Sequence, residues 1–528
     1  MPDISSLINK DNQIAGSVVG LPTHRDYGNY IDHWKFLIRS YLGAQEYKRG
    51  SYLKRYTYES ETEYLNRLDH AVVDNHVKAV VHIYNSFLYR QNIKRDFGSL
   101  TGTPELEAFL EDCDMEGRSW DSFIRDVNIL SSVYGAVWVL VDRPETVVGT
   151  RAEELQQGIR PYVTTFSPEN VLDWKYLRQP NGHYELEMVS FLETDERPNQ
   201  RPDEFYVKTW TKDSIKLVIY RPNASKDSME ILEEKPNMLG KIPAVCVYAN
   251  RGPIKGIGVS DIADVAHAQR FLHECYSEAE QLISLTNHPT LVKTRGVDAS
   301  AGAGAIIQMP EDLDPGLRPY LLQPNGGNLE SILSTIRETV QAIDKMSHLG
   351  SIRAVETRQM SGVAMQSEFL LLDARLSEKA RNLELAEEQI WRLYALWQGE
   401  AFDGEIKYPT AFHIRDKNLD MELIQKAATA QRDSATASPK VKSMIDSKMA
   451  EILAHDEEEL EEMMEMLSGE EETEEEMEHP TTTAQTKTPH IQEMIMGGYT
   501  DAQILQLHPE ITQADIDSAK QQLLNSNN

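Results

Sequence analysis

The residues best suited to contact a charged ligand lie in the segment Gly350–Gly362, which reads GSIRAVETRQMSG. This polar stretch carries two cations, Arg353 and Arg358, and Gln359 follows the second of them. Guanidinium groups present several donors in a planar fork and bind phosphate groups well. Two arginines are too few to bind a polyanion tightly, so the pattern predicts weak, repeated contacts with phosphate.

Motifs for catalysis are absent from the sequence. The pair Gly240-Lys241 lacks the leading glycine and the hydroxyl residue that a nucleotide-binding loop needs. No HExxH, no GxSxG and no paired Cys and His with zinc spacing occur. Asp312 and Asp314 could be considered a metal pair, but their turn, EDLDPG, favours a solvated role. We therefore expect a protein that is not an enzyme and needs no metal or cofactor.

The stretch Gly252–Asp261, with the sequence GPIKGIGVSD, matches a phosphate-binding turn only in part. Gly256 and Gly258 have the spacing of such a turn, but Asp261 stands where a third glycine is required. We interpret the stretch as a flexible hinge, with Ser260 as the N-cap of the helix that follows.

Two long helices are predicted to support the segment 350–362. Before it, residues 329–349 place apolar side chains at spacings of three and four. After it, Val363–Gln398 contains neither glycine nor proline, and a helix of that length would extend about 54 Å. A polar loop between two stiff helices is held at a fixed place.

The net charge of the chain indicates which kinds of binding partner are plausible. The formal net charge is −31, and the window Asp456–Glu478 holds one aspartate and 13 glutamates without a cation. That window contributes −14, which leaves −17 for the rest of the chain. Proteins that bind nucleic acid tightly are normally basic. Either nucleic acid is not the partner, or the protein handles it without tight binding.

The cysteines and the apolar runs indicate the compartment. Cys113, Cys246 and Cys275 are scattered and form no CxxC pair, which is typical of a reducing environment. The N-terminal sequence lacks the basic and apolar regions of a signal peptide, and the apolar runs are too short to span a membrane. We expect a protein made in the cytoplasm with no membrane contact.

Periodicity predicts an α+β fold that is predominantly helical, with a small and mostly antiparallel sheet. Helical patterns cover 27–42, 62–88 and two stretches between 105 and 135, and a final helical segment at 490–528 has N-cap signals at Thr500 and Thr512. Strands are predicted at Ala136–Val141, Tyr162–Phe166, His183–Phe191, Phe205–Trp210, Ser214–Tyr220 and Ala244–Tyr248. A small module with short strands at Thr290–Lys293 and Ala305–Gln308 separates two long helices.

The order of these elements resembles that of the portal proteins of tailed bacteriophages. The motifs that carry the resemblance are GIGVSDI at Gly256–Ile262, MSGVAMQSEFLLLDARLSEKARNLE at Met360–Glu384, SYLGAQEYKRGSYL at Ser40–Leu53 and SPENVLDW at Ser167–Trp174. The resemblance covers about residues 25–450 and depends on the order of elements more than on any single motif.

The resemblance implies a division of the chain into the parts of a portal subunit. An N-terminal arm (1–24) precedes a wing (25–258), a first stem helix (259–288), a clip (289–328), a second stem helix (329–350), a tunnel loop (351–362) and a long helix with a crown (363–455). An acidic linker (456–489) and a small helical segment (490–528) follow.

The resemblance also implies a function and a set of partners. Portal proteins form a dodecameric ring at one capsid vertex of the virion, and double-stranded DNA passes through it without sequence specificity during packaging and ejection. The terminase large subunit, major capsid and scaffolding proteins, and head-completion or tail adaptor proteins are the implied partners. Terminase is a separate motor, so the ring needs no ATPase motif.

Three groups of residues are assigned to this function. Arg353, Arg358 and Gln359 would lie near DNA in the tunnel loop. The rim of the clip that faces the motor would carry Asp298, Glu311, Asp312, Asp314 and Arg318. The stem seam would contain Ile262, Val265, Leu272, Tyr276, Ile336, Val340 and Ile343. Because these apolar seams are longer than one hairpin covers in water, neighbouring copies are expected to bury them.

Two other functions are compatible with parts of the sequence. A long-helix cytoplasmic scaffold would bind protein partners without DNA, and it would form a monomer, a dimer or an open filament. A nucleic-acid-processing enzyme with scattered acidic residues would need a divalent metal. A portal would instead form closed rings with a central hole.

Overall fold

The computed structural model describes most of the chain up to residue 412 and parts of its C-terminal segment. The described residues are 21–144, 153, 157–193, 201, 204–221, 229–287, 290–292, 314, 316, 320–322, 327–350, 362–410, 412, 494–495, 499–507 and 512–526. The chain divides into two units, Met1–His413 and Ile414–Asn528. The predicted strand at 305–308 and the acidic window at 456–478 lie outside the described residues.

Helices form most of the described structure. They are α1 (Tyr27–Leu42), α2 (Ala44–Arg49), α3 (Glu61–His70), α4 (His76–Leu88), α5 (Pro104–Glu111), α6 (Trp120–Tyr134), α7 (Ala263–Asn287), α8 (Gly327–Met346), α9 (Gly362–Gln398), α10 (Asp501–Leu507) and α11 (Gln513–Ser526). The long helices α7, α8 and α9 are those predicted on either side of the small module and of the segment 350–362. Among the described residues, no helix is long and apolar enough to cross a membrane.

The helical run predicted over 62–88 is two helices, so that prediction was wrong in its continuity. Ser60 begins α3 with a capping box. The Ser60 side chain accepts a hydrogen bond from the Glu63 backbone, and the Glu63 side chain accepts one from the Ser60 backbone. The Asn75 side chain begins α4 by accepting a hydrogen bond from the Lys78 backbone at 2.8 Å. The second cap starts a new helix where apolar periodicity alone predicts none.

The strands form antiparallel sheets, as predicted. They are β1 (Lys94–Asp96), β2 (Ala136–Asp142), β3 (Tyr162–Phe166), β4 (Val171–Arg178), β5 (Tyr184–Leu192), β6 (Phe205–Thr211), β7 (Ser214–Tyr220), β8 (Met229–Pro236), β9 (Ala244–Tyr248), β10 (Asn250–Arg251), β11 (Gly258–Val259), β12 (Thr290–Val292), β13 (Tyr320–Leu322) and β14 (Glu405–Lys407). A three-stranded sheet has the order β3-β2-β9, and a five-stranded sheet runs β4-β5-β6-β7-β8.

Burial explains some of the strand predictions and misses, although β4, which is buried over most of its first half, was not predicted. Every residue of β2 is buried, so it reads as a continuous apolar run. The edge strand β8 is exposed at nearly every position and lacks apolar alternation, which is why no pattern predicted it. Strand β1 pairs with β14, about three hundred residues later in the chain, and such short strands carry almost no local signal.

In the first unit, one hydrophobic core joins most of the helices, both larger sheets and α9. Its fully buried aromatic residues include Trp34 of α1, Trp120 of α6, Trp138 of β2, Trp210 of β6 and Trp391 of α9. Because rings from elements far apart in sequence share this core, α9 is part of the same packed body as the sheets.

The stretch predicted to be a hinge is closely packed, which corrects that interpretation. A Cβ atom on Gly258 would lie 2.0 Å from the carbonyl oxygen of Gly135. Gly256 has a φ of +85°, and a Cβ there would lie 2.4 Å from the indole nitrogen of Trp174. These glycines permit close approach of backbone and side chain rather than motion.

Ser260 is not the N-cap of α7, because the helix begins at Ala263. Its hydroxyl accepts a hydrogen bond from the backbone of Ile262 at 3.1 Å and donates one to the carbonyl of Ser132 at 3.1 Å. Ser260 therefore stabilises the turn before the helix and ties that turn to the end of α6.

The second unit contains a small helix pair. Thr500 precedes α10, and its backbone donates to the Gln503 side chain at 3.0 Å. Thr512 precedes α11, and its backbone donates to Asp515 at 2.8 Å, so each threonine lies directly before its helix, as predicted, and forms one half of a capping box. The core of this pair consists of Ile504, Ile516 and Ala519.

Candidate functional site

Most residues predicted to contact DNA or the motor lie outside the described residues. These are Arg353, Arg358, Gln359, Asp298, Glu311, Asp312 and Arg318. Asp314 is described and exposed, and its carboxylate accepts a hydrogen bond from the Gly316 backbone at 3.0 Å. That bond is typical of a solvated turn. The structure informs the candidate site through the elements that hold the segment 350–362 at its two ends.

The end of α8 is a Schellman motif. His348 has a φ of +55°, and its backbone N–H donates to the carbonyl of Lys345 at 3.3 Å. The next N–H, from Leu349, donates to the carbonyl of Asp344 at 2.9 Å, and the Leu349 side chain is fully buried. The helix is thus ended by a non-glycine residue in the left-handed region, two residues before Gly350, the first residue of the segment 350–362.

Tyr84 of α4 fixes this end of α8 to the core. Its hydroxyl donates a hydrogen bond of 2.7 Å to the carbonyl of Ser347, and both residues are buried. Burial raises the pKa of Tyr84 to about 12, so the hydroxyl keeps its proton and remains a donor. The chain therefore enters the segment 350–362 from a fixed position.

The helix α9 is fixed by a buried ion pair. Lys379 lies 2.5 Å from a carboxylate oxygen of Asp261, and its ammonium group also contacts the hydroxyl of Ser132. The other carboxylate oxygen of Asp261 accepts from the Asn250 side chain at 2.8 Å. Burial by itself would raise the pKa of Asp261, but Lys379 and Arg375 lower it, and the net shift is downward.

Arg375 of α9 contacts both Asp261, in the turn before α7, and Tyr84, which holds the end of α8. Its guanidinium donates to the carbonyl of Asp261 at 3.0 Å and lies 5.3 Å from the ring centroid of Tyr84. We call Tyr84, Asp261, Ser347, Arg375 and Lys379 the anchor cluster. It joins the turn before α7, the end of α8, the helix α4 and the helix α9. The end of α8 before the segment 350–362 and the helix α9 after it are consequently joined to the same core, on α9 from Arg375 onward.

A second buried carboxylate holds α9 further along its length. Glu387 is fully buried and accepts hydrogen bonds from Arg95 at 2.5 Å and from the indole of Trp120 at 2.8 Å. Its other oxygen accepts from the Tyr408 hydroxyl at 2.5 Å, and burial raises the pKa of that tyrosine well above its ordinary value. The contacts orient α9 against α6 and β14.

The residues predicted for the stem seam are buried within the single chain. Ile262, Val265, Leu272 and Ile343 are almost completely inaccessible, Ile336 is buried, and Tyr276 and Val340 are partly buried against the core. The expectation that neighbouring copies bury this seam is therefore corrected. The helices α1 and α4 pack on α7 and cover its seam in the same chain.

Two polar residues on α7, which the sequence analysis did not select, fix that helix. The Gln269 side chain accepts from the Val77 backbone at 2.9 Å and donates to the Ser40 carbonyl at 3.1 Å. A ring nitrogen of His273 lies 2.9 Å from the Val72 carbonyl, and burial lowers the pKa of this histidine. Polar residues within an apolar seam were the signal that could have identified them.

Other apolar residues of the hairpin remain exposed. Phe271 and Ile283 on α7 are 46% and 43% exposed, and Leu333 on α8 is 42% exposed. Leaving large apolar side chains exposed to water is less favourable in free energy than burying them. These residues form the part of the hairpin that is available to a second molecule.

Among the described residues, no cluster of acidic, histidine and cysteine side chains has the arrangement of a metal site. Comparison with known proteins found no family model and no curated protein that matches the chain. Solved structures that match it include the virion of a native gene transfer agent particle and the neck of an empty gene transfer agent particle. Each is 9% identical and covers 70% of this chain and 88% of the other, with TM-scores of 0.36 and 0.37.

Proposed function

We propose that the chain is a portal-type subunit of a phage-like particle. In this proposal, identical copies form a closed, dodecameric ring at one vertex of the capsid, and double-stranded DNA passes through its channel. The observation that carries the proposal is the anchor cluster, which joins the end of α8, just before the arginine-bearing segment 350–362, to the helix α9 that follows the segment. The motifs that resemble portal proteins support the same assignment.

The role of the segment follows from charge. Arg353 and Arg358 of each copy make weak contacts with passing phosphates, and a ring repeats those contacts around the channel. The strongly acidic remainder of the chain repels the duplex over about one Debye length, near 8 Å at physiological salt. Weak attraction combined with repulsion lets DNA slide without sticking.

The remaining partners follow from this role. A separate terminase motor supplies the energy for packaging, and it docks on the clip, where Asp314 provides an exposed carboxylate. Capsid, scaffolding and head-completion proteins bind other surfaces of the ring. The chain itself performs no chemical step in this function.

Negative-stain electron microscopy of the purified full chain tests the proposal. We expect closed rings with a central hole. A long-helix scaffold that never binds DNA would instead give monomers, dimers or open filaments. The absence of closed rings at any protein concentration would refute the proposal.

A further inference from the structure

A groove lies between the sheets and the helix α9, and none of the residues of the anchor cluster lines it. Its volume is about 640 Å³, within the range of small-ligand and peptide sites. One wall comes from β5 and β9, the floor from the turn at 251–255, and the other wall from the face of α9 around Leu385. We call it the basic groove. The proposed function assigns it no role.

The charge of the basic groove is opposite to that of the chain. Its lining includes Lys212, Lys241, Arg251, Lys255 and Arg392, but a single carboxylate, that of Glu185. Lys212 pairs with Glu185, and Arg392 pairs with Glu388 outside the groove. No described carboxylate lies within 4.0 Å of Lys241, Arg251 or Lys255. Three exposed cations in a chain of net charge −31 create a local site for an anion.

The tyrosines of the groove hold its cations. The ammonium group of Lys255 lies 3.2 Å from the ring centroid of Tyr184, and the guanidinium of Arg251 lies 5.7 Å from that of Tyr248. These cation–π contacts orient the positive groups without neutralising them. They also cover ring faces that nucleic-acid bases would need for stacking.

The wall from α9 adds apolar and amide groups. Leu385 is 45% exposed, and Gln389 and Arg392 follow it at spacings of four and three on the same face of the helix. An apolar side chain, an amide and a cation in one row match the side chains and backbone of a peptide. A phosphate backbone has no apolar group that could bury an exposed leucine.

We infer that the basic groove binds a short acidic peptide segment of a partner protein, with carboxylates on either side of an apolar side chain. The carboxylates pair with Arg251, Lys255 and Lys241, and the apolar side chain covers Leu385. A long duplex fits less well, because the chain as a whole carries a net charge of −31 and the groove supplies only a few cations. This inference does not depend on ring formation or on DNA passage.

Fluorescence anisotropy on the full chain tests the inference. The probe is a labelled peptide of about 12 residues that repeats Glu-Leu-Glu-Gly, and the matched control peptide has Gln in place of Glu. We expect the acidic peptide alone to bind, and its affinity to fall about tenfold or more between low and physiological salt. An oligothymidine of similar length provides the nucleic-acid arm.

Variants locate the binding site. The double change R251E/K255E should weaken binding of the acidic peptide at least about tenfold, because each reversal replaces attraction by repulsion. The change L385S should weaken it about threefold to tenfold through loss of apolar contact. The matched control K78E/K345E reverses two exposed lysines outside the groove and should leave binding unchanged. Circular dichroism confirms that each variant is folded.

Three results would overturn the inference. One is equal binding of the acidic peptide by the native chain and R251E/K255E. Another is tighter binding of oligothymidine than of the peptide, lost in R251E/K255E, which would assign the groove to nucleic acid. The third is loss of self-association in R251E/K255E without peptide binding by the native chain, which would make the groove a contact between copies.

Discussion

The carboxylate of Asp261 is buried and pairs with Lys379 at 2.5 Å, and its backbone carbonyl accepts from Arg375. A buried ion pair adds little net stability when compared with apolar residues of the same shape, but loss of one partner leaves the other charge uncompensated. Asp261 therefore matters because it positions α9 and the turn before α7.

The change Asp261→Asn should lower the free energy of unfolding by about 3–5 kcal/mol, since the ammonium of Lys379 loses its buried counterion. Urea unfolding followed by tryptophan fluorescence measures the effect. The control Asp32→Asn changes an exposed residue of α1 and should alter stability by less than about 0.5 kcal/mol. Equal stability of the two variants would show that the pair does not hold α9.

The lowered pKa of Asp261 predicts that its contribution to the free energy of unfolding depends on pH. Its pKa in the folded chain is lower than its ordinary value, so its contribution to stability is present above the unfolded pKa of about 3.9 and is lost as pH falls through the folded pKa. The difference in unfolding free energy between the native chain and Asp261→Asn should therefore shrink below about pH 4. Urea titrations at several pH values measure it, and a constant difference would contradict the assignment.

Arg353 and Arg358 belong to the proposed DNA contact. Replacing both with alanine should leave the rings intact but alter DNA packaging, because the weak phosphate contacts are lost while the anchor cluster is unchanged. An in vitro packaging assay, with microscopy of the same preparation, measures both properties. Normal packaging by intact rings of the variant would remove the segment 350–362 from the mechanism.

The elements around Gly135 and Gly258 pack backbone against backbone. This contact brings the end of α6 and the start of β2 against β11, just before α7. A sequence pattern with two glycines in this stretch suggests flexibility, but here the missing side chains permit a close approach. The path of the chain into α7 is thereby fixed.

The change Gly258→Ala should destabilise the chain by about 2–3 kcal/mol or more, because the new Cβ would overlap the Gly135 carbonyl. The control Gly28→Ala lies in α1, where a Cβ meets nothing within 4 Å, and should be neutral or stabilise by up to about 1 kcal/mol. Thermal unfolding by circular dichroism compares them. A freely tolerated alanine at 258 would restore the hinge interpretation.

At the scale of the whole molecule, the hairpin of α7 and α8 exposes Phe271 and Leu333 after covering its own seam. If copies assemble as proposed, these side chains lie in the contact between them. The double change Phe271→Asp and Leu333→Asp should then prevent ring formation and leave a folded monomer, because two charges would be buried at the contact.

Sedimentation velocity and negative-stain microscopy measure assembly of that variant. The control Met238→Asp alters an apolar residue that is 86% exposed in the connection between β8 and β9, and it should still form rings. Rings that persist in the double variant would place the contact between copies elsewhere on the chain.

Local patterns in the sequence determined most helices, the strands with apolar or alternating residues, and the N-caps at Thr500 and Thr512. Periodicity and capping act over a few neighbouring residues, so the sequence records them directly. The Arg-bearing segment and the two helices beside it also followed from local composition.

Only the tertiary structure decided how those helices are held. Asp261 and Lys379 are 118 residues apart in the chain, and Tyr84 and Ser347 are 263 residues apart, so no local sequence pattern predicts these contacts. The same holds for the stem seam, which neighbouring elements of the chain itself cover. Contacts between residues distant in sequence depend on the packing of the whole core, and the periodicity of a single sequence does not predict them.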